Sequence, residues 1–486
     1  MPTSFDAIVI GSGQSGPFLA VRLANAGLKT VLIEREHLGG TCVNDGCIPT
    51  KTLVASARAA HVARRAADYG VLIDGAVGVD MKAVKARKDR IVGQSIDSLT
   101  QWINGTANLS LVWGHARFTA PNAVEVGGQV LQAPKIFINS GGRPVLPDWP
   151  GLDAVPVLTN TSMMAMDTLP QHLLVVGGSY IGLEFAQMYR RFGAEVTVLE
   201  YADRVIARED PEVSHEVQAI LEREGIKFHL GVRGAKVTRG ANGGIRVALN
   251  VAGAAREVQG SHLFAAVGRR PNTDDLGLQH AGVNTDARGF ITVDDQLRTN
   301  VPGIWALGDV NGKGAFTHTS YNDFEIVAAN VLDNNPRQTE PRSRSAPAPE
   351  GLSRLGAAQR RVSDRIPAYA LFIDPPLGRV GMSETEVRAS GRPALVGVMP
   401  MTRVGRARER GETQGFMKVL VDAQTERILG AALLCIEGDE IVHSLLDLMY
   451  AGASYKVMQR AVHIHPTVSE LLPTLLANLR PLGEPT

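Results

Sequence analysis

Ala7-Ile8-Val9-Ile10-Gly11-Ser12-Gly13-Gln14-Ser15-Gly16 runs a short apolar strand into three glycines spaced for a tight turn at the start of a helix. The helical pattern continues to Gly27, and a second strand, Thr30 to Ile33, is closed by an acid, Glu34. Strand, turn, helix, strand in that order is a dinucleotide-binding unit. The pattern returns at Leu173 to Val176, then Gly177-Gly178-Ser179-Tyr180-Ile181-Gly182, a helix to Gly193, and a strand Val196 to Leu199 closed by Glu200. In both copies the acid lies 18 positions after the last glycine.

Glycines at these places let the backbone approach a pyrophosphate at a helix N-terminus, where free N–H groups and the helix dipole favour an anion. The closing carboxylate accepts hydrogen bonds from ribose hydroxyls. A single glycine fingerprint arises often by chance, whereas two copies with matched spacing and context define an architecture. Ser179 stands where the second copy would carry its middle glycine, which narrows the approach there.

Directly after the first unit comes Gly39-Gly40-Thr41-Cys42-Val43-Asn44-Asp45-Gly46-Cys47-Ile48-Pro49-Thr50-Lys51. The spacing of Cys42 and Cys47 suits two sulfurs bridging within one helical turn, and the pair reads as a redox-active disulfide. A zinc knuckle needs a closer pair and a second pair elsewhere, but the only other cysteine is Cys435. No metal site is expected.

At 486 residues the chain is long for one core and implies about three domains. Fifty lysines and arginines against 49 acids leave a formal charge of +1, giving no electrostatic case for nucleic acid or an anionic membrane. Three cysteines are too few for a stapled secreted scaffold, and Met1 to Phe5 enters the first strand without a cleavable leader. No apolar run reaches the ~20 residues of a membrane helix. A cytoplasmic protein is expected.

The cysteine segment and the paired glycine motifs resemble the class I pyridine nucleotide-disulfide oxidoreductases, the flavoproteins that include glutathione reductase, dihydrolipoamide dehydrogenase and mercuric reductase. The resemblance implies an α/β fold: two Rossmann-like domains for FAD and NAD(P), and an α+β C-terminal dimerisation domain. Val124 to Val130 and Lys135 to Asn139 read as strands ending at Ser140-Gly141-Gly142-Arg143-Pro144, similar to the family's crossing between its nucleotide domains. After Gly268-Arg269-Arg270-Pro271-Asn272, the segment Gly303 to Val310 resembles the second flavin motif. The expected division is therefore 1–150 and 271–335 for FAD, 151–270 for the nicotinamide nucleotide, and 362–486 for the homodimer interface. Between them, Pro336 to about Arg361 is rich in proline, serine and arginine and reads as an exposed insertion.

By the same resemblance, Gly11, Gly13, Gly16, Glu34 and Asp309 contact FAD, with Thr41, Lys51, Gly141 and Gly268 beside them. Gly177, Gly182, Tyr180 and Glu200 serve the nicotinamide nucleotide, NADH by virtue of Glu200, with NADPH the alternative because Arg204 and Arg208 stand nearby. Cys47 lies against the flavin and Cys42 exchanges with substrate. Lys51, one helical turn after Cys47, pairs with Glu184. Tyr180 resembles the tyrosine that covers the flavin in some relatives, a core tyrosine being the competing reading. His465 in His465-Pro466-Thr467-Val468-Ser469-Glu470 is the general acid and base, oriented by Glu470 and acting across the dimer interface. His463 is assigned to packing.

Within the family, the chain ends Leu479 to Thr486 without the cysteine pair that receives mercury, and Val21 stands where glutathione reductases place an arginine. Dihydrolipoamide dehydrogenase shares the His-Pro-Thr-x-x-Glu tail but has serine in place of Thr50. Gly11 to Pro17, Cys47 to Leu53 and Thr317 to Asp323 look more like the mercuric reductase-like group, which includes the reactive-chlorine-resistance flavoproteins, for which copper(II) reduction is a precedent. The expected activity carries electrons from nicotinamide through flavin and the Cys42–Cys47 disulfide to a small disulfide, oxidant or metal ion. A non-catalytic flavin-binding subunit is the alternative of another class.

Overall fold

The computed structural model describes residues 2–240, 243–333 and 359–483. They form two compact units, one from residues 1–52, 86–145 and 268–365, the other from 53–85, 146–267 and 366–486. Residues 53–85, expected with the first nucleotide domain, belong to the second unit. Most of the 336–361 insertion lies outside the described residues. Its last residues are anchored: Asn330 Nδ2 donates to the Arg360 carbonyl (2.7 Å), and the Arg360 N–H donates to Asn330 Oδ1 (3.2 Å).

The first unit is built on a parallel sheet ordered Ile304–Ala306, Ile136–Ile138, Ala7–Ile10, Thr30–Glu34, Leu109–Trp113. Every residue of Ala7–Ile10 is buried, as a strand covered on both faces must be. The helix Gly16–Asn25 packs on this sheet and starts with Pro17 in its first turn, where a missing N–H costs nothing. The stretch expected as one strand, Val124 to Val130, is instead a hairpin, Ala123–Val126 and Gln129–Gln132. Gly127 and Gly128, both with positive φ, make the two-residue turn that its twist requires.

In the second unit a parallel sheet runs Val157–Leu158, His262–Ala265, His172–Val176, Glu195–Leu199, Lys227–His229. An antiparallel sheet ordered Ala368–Leu371, Leu377–Gly381, Ile428–Leu434, Phe416–Asp422, Ala394–Pro400, Arg480–Pro481 follows. It packs the helix Gly438–Tyr450 through Ile441, Val442 and Leu445. Among the described residues, no helix is long and apolar enough to cross a membrane.

Buried ion pairs tie the second unit together. Arg191, on the helix Tyr180–Phe192, takes Glu224 with two guanidinium nitrogens (2.8 and 2.7 Å) and Asp374 with the third (2.6 Å). Arg58 shares Asp374 and adds Glu412 at 2.9 Å. Burial alone would raise the Asp374 carboxyl, but the Arg191 and Arg58 guanidiniums more than offset it and hold the group below its ordinary range. Removing one member leaves uncompensated buried charge, so Arg191→Met is expected to destabilise the protein by about 3–5 kcal/mol. Thermal unfolding checks this, and a melting temperature equal to that of the unmodified protein would contradict it.

Candidate active site

The chain leaves the strand Thr30–Glu34 and enters a five-residue helix, Gly40–Asn44, that carries Cys42. The helix stops at Asp45 (φ −144°), and a new one, Cys47–Arg64, begins with the second cysteine. The two sulfurs therefore sit on consecutive helices, not within one helical turn as their spacing suggests. Gly46 makes the break: a Cβ there would lie 2.7 Å from the Thr41 carbonyl oxygen and 3.2 Å from Cys42 Cα. Asn44 Nδ2 clamps the first helix by donating to the Leu38 and Gly40 carbonyls, both at 2.9 Å. Pro49 falls in the first turn of the second helix, where its lack of an N–H is harmless.

Cys47 Sγ lies 2.9 Å from Thr317 Oγ1, on the first residue of the helix Thr317–Ala328. With the pair in its dithiol form, the hydrogen bond to Cys47, followed by burial, pushes the Cys42 thiol well above its ordinary range. Lys51 lies one turn into the Cys47 helix and so shares the cysteine's side of it.

The residues present fit a bound FAD. Gly16 backs onto the turn so closely that a Cβ would lie 2.0 Å from the Gly11 carbonyl oxygen, and in the second motif Gly182 meets Gly177 at 1.9 Å. Both turns thus bring a helix N-terminus against its strand, the arrangement a pyrophosphate needs. Glu34 Oε2 accepts from the Ser12 N–H (2.9 Å) and hydroxyl (2.6 Å), and its Oε1 from the Glu36 N–H (2.8 Å). Glu200 repeats the arrangement in the second unit, accepting from the Gly178 N–H and, at 2.6 Å, from the Ala202 N–H. Gly13 and Ser179 are the middle residues of these turns.

Asp309 follows the strand Ile304–Ala306, and burial raises its carboxyl while Arg269 opposes the rise. A desolvated carboxylate of this kind is suited to accept from sugar or ribityl hydroxyls. Arg269 also donates to Thr41 Oγ1 at 3.2 Å. Gly141 and Gly268, both with positive φ, flank the pairing of Gly142–Pro144 with Arg269–Pro271.

In the second unit, Glu184 Oε1 accepts from the Phe372 N–H at 3.0 Å. The Tyr180 hydroxyl is held within the unit: it donates to Glu209 Oε1 (2.6 Å), which also accepts from the Tyr369 hydroxyl (2.7 Å), while Arg379 pairs with Glu209 Oε2 (2.7 Å). Burial, reinforced by Glu209, pushes the Tyr369 phenol up to about 12. The sequence reading missed this cluster because Glu209, Tyr369 and Arg379 carry no motif.

His465 and Glu470 also belong to the second unit. Nδ1 of the imidazole lies 2.8 Å from Glu470 Oε2. Because a carboxylate only accepts, Nδ1 carries the hydrogen, and Nε2 is the nitrogen that gains or loses a proton. The His465 side chain is 80% exposed, and Val462 and Ile464 beside it are 100% and 80% exposed. His463 is half-buried, with Nδ1 3.4 Å from the Ala461 carbonyl. Among the described residues, no cluster of three or more histidine, cysteine, aspartate or glutamate side chains forms a metal site.

The family model of the pyridine nucleotide-disulphide oxidoreductases matches residues 5–324, and that of their dimerisation domain matches 367–476. The chain is 33% identical to the probable pyridine nucleotide-disulfide oxidoreductase RclA of Escherichia coli K12, covering 97% of this chain and 99% of that one. It is also 33% identical to a dihydrolipoyl dehydrogenase of Haloferax volcanii, over 96% of this chain and 94% of the other. A solved structure, the Cu(II) complex of the HOCl-induced flavoprotein disulfide reductase RclA from Escherichia coli, superposes with a TM-score of 0.84, covering 98% of this chain and 99% of that one at 33% identity.

Proposed function

Because this chain belongs to the pyridine nucleotide-disulphide oxidoreductases and is a flavin-dependent oxidoreductase, we propose that it takes electrons from NADH and passes them through the Cys42–Cys47 disulfide to a small disulfide, an oxidant or a metal ion. The observation that carries this reading is the meeting of the two thiols across a glycine-enforced helix break, with Cys47 on Thr317. Gly11, Gly13, Gly16, Glu34 and Asp309 would hold FAD, with Thr41, Lys51, Gly141 and Gly268 beside it. Bound flavin supplies the two-electron link between nicotinamide hydride and a disulfide. Cys42 is the sulfur that exchanges with substrate, and His465 Nε2 takes and returns the thiol proton in a second copy of the chain. The apolar side chains of Val462 and Ile464 are the kind of exposed surface that a homodimer interface covers. Glu184 partners Lys51 in this proposal, Gly177 and Gly182 form the nicotinamide nucleotide's turn, and the whole protein works in the cytoplasm.

NADH is the expected donor. The Glu200 carboxylate is fixed by two backbone N–H groups where it would accept from ribose hydroxyls and repel a 2′-phosphate. Two nearby guanidiniums are already engaged: Arg204 donates to the Ala207 carbonyl at 2.9 Å, and Arg233 lies 3.8 Å above the Tyr201 ring. We expect kcat/KM for NADH to exceed that for NADPH by about tenfold or more, a difference of roughly 1.4 kcal/mol. Comparable efficiency with NADPH would overturn this.

Lipoamide is a second reading of the acceptor, favoured by the His465–Glu470 pair and by the dihydrolipoyl dehydrogenases among the relatives. Measuring NADH consumption with lipoamide, oxidised glutathione, copper(II) and mercury(II) tests the proposal. The true acceptor should turn over in the unmodified enzyme and fail in Cys42→Ser. If every acceptor were reduced equally well by Cys42→Ser, the disulfide relay would be rejected.

A further inference from the structure

We propose that Thr317 is a further active-site residue: its hydroxyl donates to Cys47 Sγ and fixes the negative charge of the reduced cysteine pair on that sulfur. The inference rests on the relay reading above and deepens it. A dithiol pair that has lost one proton carries one charge, and two neighbouring sulfurs compete for it. The sulfur that receives an additional hydrogen bond and faces a helix N-terminus wins, because both favour the thiolate.

The structure gives those advantages to Cys47. Thr317 Oγ1 is 2.9 Å from its sulfur. Thr317 is the first residue of the 12-residue helix Thr317–Ala328, and Cys47 itself begins the 18-residue helix Cys47–Arg64. Cys42 sits inside a five-residue helix; its neighbour Cys47 and burial push its thiol up, outweighing the Thr317 hydroxyl, which reaches it too and lowers it.

Thr317 is also held in place. Thr319 Oγ1 accepts from the Phe316 N–H (3.1 Å) and donates to the Phe316 carbonyl (2.7 Å), fixing the turn that starts the helix. Gly314 packs so tightly on Thr319 that a Cβ would lie 2.6 Å from its Oγ1. The hydroxyl therefore does not depend on a mobile loop for its position.

The test uses the holoenzyme with Cys42→Ser, in which Cys47 is the remaining sulfur of the pair, and follows its long-wavelength absorption band against pH. Adding Thr317→Val, which keeps the shape and removes the hydroxyl, should move the band's midpoint up by about one pH unit, or about tenfold less thiolate at a fixed pH below it. Adding Thr317→Ser instead should restore the midpoint. An unmoved midpoint in the valine variant, or equal shifts in the valine and serine variants, would overturn the role of Thr317. Should the valine variant fold without flavin, the rate of Cys47 alkylation by iodoacetamide, compared among flavin-free forms of all three variants, replaces the band. A roughly tenfold lower rate with valine and recovery with serine supports the proposal; equal rates sink it. A Cys42→Ser holoenzyme with no band at any pH would instead reject the relay on which the inference rests.

Discussion

Cys47→Ser is expected to lose the long-wavelength absorption band, while Cys42→Ser keeps it without any reductant, and both lower turnover of the disulfide-linked reaction by on the order of a thousandfold or more. The asymmetry follows from placement. The sulfurs occupy separate helices divided by Asp45 and Gly46, so neither can stand in for the other. Cys47 heads a long helix and touches Thr317, an environment that favours a thiolate, whereas Cys42 lies in the short helix before the break. Only a sulfur touching the flavin can give the band, and only the outer one can exchange with substrate. Slow direct reduction of oxygen or quinone-like acceptors should survive in both variants, because it bypasses the sulfurs. A band retained in Cys47→Ser and lost in Cys42→Ser would reverse the two roles.

His465→Ala is expected to lower kcat/KM for the disulfide-linked reaction by about 10²–10⁴-fold, the usual contribution of a positioned acid and base. The imidazole hydrogen on Nδ1 is committed to Glu470 Oε2 at 2.8 Å, which leaves Nε2 as the proton acceptor. Without it the exchanging thiol must ionise unaided, and since Cys47 and burial hold Cys42 above the ordinary thiol range, the lost rate should partly return only as pH rises beyond ~8.5. Glu470→Gln keeps a hydrogen-bonding partner but removes the charge that fixes the tautomer, and a smaller loss is expected. Equal turnover in His465→Ala and the unmodified enzyme across the pH range would remove His465 from the mechanism.

The paired nucleotide units were legible because their signals are short-range. Glycine spacing and a closing acid identify the turns around Gly11 and Gly177, and Glu34 and Glu200 occupy equivalent places, each accepting from the second residue of its turn. The helix break between the cysteines was not legible, since Gly46 is required by the nearby Thr41 carbonyl, a contact visible only once the turn is built. Thr317 is 270 residues from Cys47 in the chain, and no local pattern ties a threonine after Phe316 to a sulfur. The hairpin around Gly127 and Gly128 was read as one strand because alternating apolar residues continue across the glycine pair. The grouping of residues 53–85 with the second unit reflects packing of Leu53, Ala57 and Met81 into a core supplied by Leu173, Phe185 and Leu371. Such long-range burial leaves no mark on local spacing. The buried Arg191 network was equally silent, since its partners Glu224 and Asp374 lie 33 and 183 positions away.

The central claim is that electrons from the nicotinamide reach the Cys42–Cys47 pair, and differential alkylation tests it most directly. The enzyme is treated with iodoacetamide before and after anaerobic addition of NADH, and the labelled peptides are mapped. Cys435 is fully buried and serves as an internal control that should stay unlabelled in both samples. The account predicts that Cys42 is unlabelled in the oxidised enzyme and becomes labelled after NADH. Bleaching of the flavin by NADH with no gain of label at either Cys42 or Cys47 would contradict it.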